Sequence, residues 1–158
     1  MPPKRVLFVC LGNICRSPLA WALAQQEAAR LGLDNRLTFG SAGLGDWHIG
    51  KPADPRARAA ARRHGLDLRA HRARQLRSED RARWDVFVPM DADNKAGLLA
   101  MGIPASKIVM MRAPESGDPH QAPDVPDPYW GDEAAFEAVL MILRADMEPL
   151  LRDWLAAK

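Results

Sequence analysis

The sequence predicts a single α/β domain, residues 1–158, built on a four-stranded parallel sheet with helices on both faces. Two observations lead there. Four short strand-like runs alternate with longer segments bounded by helix start and stop signals. Strands that alternate with helices in this way pair in parallel and are covered on both sides. In addition, no shift in composition and no internal repeat divides the 158 residues, and a 47% hydrophobic content suits one core.

The elements follow in order. RVLFVC (5–10) reads as a buried strand. Ser17 is a suitable N-cap and Pro18 a suitable first helical residue, so a helix is expected through LAWALAQQEAARL to Gly32, a C′ glycine. RLTFGSAG (36–43) is the second strand, followed by the loop GLGDWHIGKPAD. PRARAAARRH (55–64) is a helix stopped at Gly65. HRARQL is ambiguous, and SEDRARW suits a short helix. DVFVPM (85–90) is the third strand, DADNKAGLLAM a helix ending at Gly102, and KIVMM (107–111) the fourth strand. Residues 112–131, rich in Pro, Asp and Gly, form a loop of a length that is usually functional. Phe136, Leu140, Leu143, Met147, Leu150 and Trp154 then share one face of a long helix, which Pro149 is expected to kink or interrupt.

Composition narrows the function. No apolar run approaches the ~18 residues that span a bilayer, and the short basic start lacks a cleavage site, so no membrane partner is expected. Two cysteines in one loop do not make a disulfide framework and fit a reducing, cytoplasmic setting. A net charge of +2 is too mild to argue for nucleic acid. Ten arginines between Arg56 and Arg83 are either a solvated face or a patch for acidic partners.

The loop after the first strand carries the chemistry. Cys10 and Arg16 bracket five residues, C-x5-R, followed by Ser17. In open α/β sheets ligands bind beyond the carboxyl ends of the strands. A loop from there into a helix aims backbone N–H groups at one point, and with the helix dipole and Arg16 these make an anion site. Leu11, Gly12, Asn13, Ile14, Cys15, Arg16 and Ser17 are its candidate phosphate-binding residues, with Gly12 expected at positive φ. Cysteines in such a field ionise readily, and a thiolate facing phosphate is a nucleophile for phosphorus. Ser17 is placed to hydrogen-bond the sulfur. Other phosphate loops are absent, and C-x4-C without a second ligand pair is a poor zinc site.

Expelling a phenolate or alkoxide needs a proton donor. PDVPDPYWGD (123–132) offers Asp124, Asp127 and Asp132. Asp127, between Pro126 and Pro128, sits on the stiffest backbone. Burial against an apolar lip would keep such a carboxyl protonated; alternatively Asp127 only initiates a turn. Tyr129, Trp130 and Trp47 either wall an aromatic cleft suited to an aryl phosphate or pack in the core.

VCLGNICRSP, SAGLGDWHIGKPADPRA, HRARQL, MDADN and DPYWG together resemble the low-molecular-weight protein tyrosine phosphatases over nearly the whole chain. The resemblance implies a flavodoxin-like fold and two-step hydrolysis of phosphotyrosine in protein substrates, without metal or organic cofactor. It assigns Cys10 as nucleophile, Arg16 as phosphate ligand, Asp127 as general acid and Ser17 as support for the thiolate. Asn13 would hold the loop with Ser41 and His71, and Cys15 would form a reversible disulfide with Cys10. The family includes arginine phosphatases, which carry threonine where this chain has the apolar Ile14. It also includes arsenate reductases, whose thiol relay needs a further cysteine that this chain lacks. Trp130 stands where many relatives have a second tyrosine, leaving Tyr129 as the only one.

Overall fold

The structure, a computed structural model, describes residues 2–112 and 122–156. Strand β1 (Lys4–Cys10) lies between β2 (Leu37–Gly43) and β3 (Val86–Pro89), all parallel, in the order β2-β1-β3. Val6, Leu7, Phe8 and Val9 are wholly buried because β1 is covered on both faces. Val6 and Phe8 pack on one side with Leu19 and Leu23 of α1 (Arg16–Arg30) and Phe136, Leu140 and Leu143 of α5 (Glu133–Ala156). Leu7 and Val9 face the other side with Phe87 and with Leu98 of α4 (Ala92–Ala100). Helices α2 (Pro55–Arg63) and the single-turn α3 (Asp80–Arg83) lie on the path from β2 to β3.

Among the described residues the sheet has three strands, not the expected four. The 107–111 segment does lie along β3: Val109 N–H donates to Phe87 O at 3.0 Å and Met111 N–H to Pro89 O at 3.1 Å. Yet only one bridge forms, Phe87 to Ile108. Pro89 supplies the reason. It has no N–H to return to this neighbour, so the two-way ladder stops after one rung.

One helix start and one expected interruption also depart from expectation. Helix α1 starts at Arg16 with Cys15 as its N-cap residue, so Ser17 and Pro18 fall inside the first turn. Pro18 is tolerated there because first-turn amides have no intrahelical partner. The hydroxyl of Ser17 is engaged elsewhere. Helix α5 runs unbroken through Pro149; its expected face of Phe136, Leu140, Leu143, Met147, Leu150 and Trp154 is buried against the sheet and α1. That packing outweighs the one hydrogen bond Pro149 denies to Ala145 O.

Register brings the carboxyl ends together. Cys10 pairs with Gly43, and Val9 with Pro89. The loops leaving all three strands therefore open at the same edge, with β2 and β3 departing to opposite sides of β1. That is the crevice at which such sheets bind ligands. Among the described residues, no helix is long and apolar enough to cross a membrane.

Candidate active site

The loop from Cys10 to Arg16 curls into a cup because its carbonyls are held outward. Cys10 O accepts from Leu44 N–H at 3.1 Å, Leu11 O from Gly45 N–H at 2.9 Å and Ile14 O from Asp54 N–H at 2.9 Å. Asn13 O accepts from His71 Nε2 at 2.8 Å. In a trans peptide the N–H points opposite to the C=O. The amides of Leu11, Gly12, Ile14 and Cys15 therefore face the inside of the cup, and the free first-turn amides of α1 complete it.

Asn13 is the keystone, and it, not Gly12, takes the left-handed conformation, at φ 61°. Asparagine tolerates that region because its short side chain bonds locally. Wholly buried, it donates from Nδ2 to Ser17 Oγ at 2.8 Å and to Ser41 Oγ, and accepts at Oδ1 from Arg74 N–H at 2.9 Å. The expected partners Ser41 and His71 are thus both brought to it. Burial pushes His71 below the usual histidine range despite its bond to Asn13, so it is neutral and donates from Nε2. Gly12 is needed for room instead, since a Cβ there would stand 3.0 Å from the His48 ring. A Cβ on Gly43 would come within 2.9 Å of Leu11 O, so β2 ends in glycine where the cup rests on it.

Cys10 lies at the floor, 2% exposed. Its Sγ is 3.0 Å from Ser17 Oγ and accepts from Asn13 N–H at 3.3 Å. Both cysteines are free thiols. Cys15 is buried beside it; burial first, then the Asp54 charge, pushes its thiol far above the ordinary range.

Arg16 reaches along the wall with 3% of its side chain exposed. Its Nη1 donates to Asp91 Oδ2 at 2.7 Å and to Val125 O at 2.9 Å, and Nη2 stands 3.6 Å from Asp127 Oδ2. Asp91 joins two elements, because its other oxygen caps α4 by accepting from Asn94 N–H at 2.7 Å.

Of the three candidate acids, only Asp127 lines the cleft. Asp124 accepts from Ala92 N–H at 2.9 Å and tethers the loop to α4, while Asp132 accepts from Ala135 N–H in the first turn of α5. Asp127 Oδ1 accepts from Tyr129 N–H at 3.1 Å, so the turn and the cleft position coexist in one residue. The expected burial of its carboxyl is absent: the side chain is 42% exposed. Residues 113–121 of the expected long loop lie outside the described residues.

The cleft above Cys10 encloses about 390 Å³, and its rim is Leu11, Ile14, Trp47, His48, Tyr129 and Trp130. Trp47 is 61% and Trp130 91% exposed, so neither packs in the core. The Tyr129 and Trp130 rings meet edge to face with centroids 5.0 Å apart. Among the described residues, no cluster of His, Cys, Asp or Glu is arranged to hold a metal ion.

Residues 5–158 match the family model for low molecular weight phosphotyrosine protein phosphatases. The chain belongs to that family. Low molecular weight protein-tyrosine phosphatase A of Mycobacterium tuberculosis is 40% identical over 96% of this chain and 91% of its own length. The pig low molecular weight phosphotyrosine protein phosphatase is 39% identical over 86% of each chain. The crystal structure of YfkJ from Bacillus subtilis superposes with a TM-score of 0.86 at 37% identity, covering 97% of this chain and 95% of the other.

Three residues of this phosphatase escaped the sequence reading. Asp91 carries the only signal that was available: an N-cap aspartate immediately after a strand's carboxyl end. Asp54 and Arg56 link the cup to the Asp127 loop through contacts between segments about 75 residues apart, which no local pattern announces.

Proposed function

We propose that the protein hydrolyses phosphotyrosine in proteins, and small aryl phosphates, through a phosphocysteine on Cys10. One observation carries this reading: the Cys10 sulfur, the Arg16 guanidinium and the Asp127 carboxylate line the same cleft. The inward amides and Arg16 hold the three non-bridging phosphoryl oxygens, and gain most as charge gathers on them in the transition state. The Cys10 thiolate attacks phosphorus from the floor. The P–O bond to the ring breaks as the P–S bond forms, and Asp127 donates a proton to the departing phenolate. A water then attacks phosphorus, Asp127 takes its proton, and the thiolate leaves toward the Ser17 hydroxyl, restoring Cys10 and releasing phosphate.

The open, solvent-wetted Asp127 suits a residue that exchanges a proton twice per cycle. The apolar Ile14 and the aromatic rim favour a flat phenyl ring over a guanidinium or a short serine side chain. Steady-state rates on phosphotyrosine, phosphoserine and phosphoarginine peptides test the substrate class, with turnover expected on the first. Cys10→Ser should abolish turnover while vanadate still binds, because the amides and Arg16 remain. Acid quench should trap phosphocysteine in the parent protein alone. Substantial turnover by Cys10→Ser would remove Cys10 from the chemistry.

A further inference from the structure

Arg56 is engaged on every side. Its backbone N–H and Nε donate to Asp54 Oδ1 at 2.8 and 3.0 Å, and Nη2 to Asp54 Oδ2 at 2.9 Å. The same guanidinium donates to Tyr129 O at 3.0 Å and Gly131 O at 2.8 Å. Its central carbon lies 4.6 Å from the centroid of the Phe136 ring and 5.8 Å from that of Tyr129. Asp54 in turn donates its N–H to Ile14 O at the back of the cup. At the other end, Tyr129 N–H holds Asp127 Oδ1. A continuous path therefore runs from Ile14 through Asp54, Arg56 and Tyr129 to Asp127.

We infer that Arg56 is a positioning residue: with Asp54 it forms a strut that sets the acid loop against the phosphate cup and so holds Asp127 over Cys10. This rests on Asp127 acting as the acid. The geometry explains why an arginine is required. One planar fork must satisfy a carboxylate and two carbonyls at once, and a lysine ammonium lacks that fixed fan of donors. Asp127 needs such outside support because its own carboxylate is 42% exposed and its nearest cation, on Arg16, is beyond hydrogen-bond distance at 3.6 Å. Val125, whose N–H donates to Met90 O at 2.7 Å, anchors the near side of the loop; Arg56 anchors the far side.

The test is kcat/KM for a series of aryl phosphates from p-nitrophenyl to phenyl, in the parent, Arg56→Gln, Asp127→Ala and the double variant. Misplacing a catalytic group by about 1 Å costs up to ~10²-fold. Arg56→Gln should therefore lose roughly 10- to 100-fold on phenyl phosphate, whose leaving group needs the proton, and under about threefold on p-nitrophenyl phosphate, whose leaving group does not. In the Asp127→Ala background, Arg56→Gln should change either rate by less than about twofold, since the group it positions is gone. Should Arg56→Gln prove unstable, Arg56→Lys carries the same comparison and should show the same dependence on leaving group. Equal losses across the series, or full losses that persist without Asp127, would overturn the strut. A flat response of Asp127→Ala itself would instead overturn the acid on which the strut acts.

Discussion

Arg16 illustrates how much one buried side chain commits. A guanidinium with 3% exposure is costly unless its donors are met, and Asp91 and Val125 O meet those on Nη1. Losing one partner of such a pair leaves a stranded charge worth about 3–5 kcal/mol. Cys15 shows the opposite economy, a polarisable group with no charge to satisfy. Its burial and the nearby Asp54 carboxylate keep it a thiol at neutral pH. The family resemblance implies that it traps oxidised Cys10 as a disulfide. Peroxide should then inactivate the enzyme, dithiothreitol should restore it, and Cys15→Ser should recover poorly. Since Cys15 titrates far above neutrality, its thiolate fraction grows about tenfold per pH unit. Disulfide formation should accelerate accordingly between pH 6 and 9, as read by peptide mapping after alkylation. Finding only sulfinic or sulfonic Cys10 with Cys15 still free would leave Cys15 as packing.

Between elements, the cup depends on close approach. Strand β2 ends at Gly43, whose N–H donates to Arg74 O and whose carbonyl accepts from Leu76 N–H, so the HRARQL segment continues the sheet edge by a single bridge. The same glycine leaves room for the backbone of Leu11 and Asn13. A methyl group there would meet Leu11 O at 2.9 Å and Asn13 N at 3.1 Å, both main-chain atoms that move only with the loop. Gly43→Ala should therefore displace the amides from the phosphate oxygens and lower kcat/KM by tenfold or more, by the general cost of ~1 Å misplacement. Vanadate affinity should fall in parallel. Unchanged affinity would show that the loop yields without opening. Helix α4 contributes through Asp91, whose two oxygens serve helix cap and Arg16 at once, so the start of a helix doubles as a wall of the site.

Toward acid pH, one imidazole and three carboxylates act on stability with the same sign. Burial holds His71 below its ordinary 6.5. The unfolded chain then binds more protons as pH falls through 6.5, so stability is complete above that value and declines below it. Asp54 and Asp80 are held below 3.8, where bonds from Arg56 and from Arg74 outweigh burial; Asp85 is held there by Arg5. Their contributions are present above 3.8 and are lost as pH falls through the depressed values. Thermal midpoints should thus decline gently between about pH 7 and 5 and steeply below about 4. His71→Gln, which keeps an N–H for Asn13 O, should flatten the gentle step and leave the steep one. A gentle step that survives in that variant would assign it to another histidine.

What the sequence determined by itself is whatever is written in neighbouring residues. Strand and helix periodicities, the C-x5-R loop running into a helix and the proline-stiffened Asp127 are all local patterns, and every expected element except the fourth strand stands within a few residues of its expected bounds. Tertiary structure decided what depends on partners far along the chain. Of the three aspartates it brought only Asp127 into the cleft, with Asp124 turned to the distant Ala92 amide, while Asp132 is held locally by the Ala135 amide. It placed positive φ on Asn13, because a ring of distant partners holds that residue, and it set Asp91 on Arg16 and Arg56 beneath the acid loop. It also stopped the sheet at three strands. That limit is written in Pro89, but which side of β3 its missing N–H faces is known only once the strands have paired. Local patterns choose the elements; hydrogen bonds across tens of residues choose which side chains meet at the cleft.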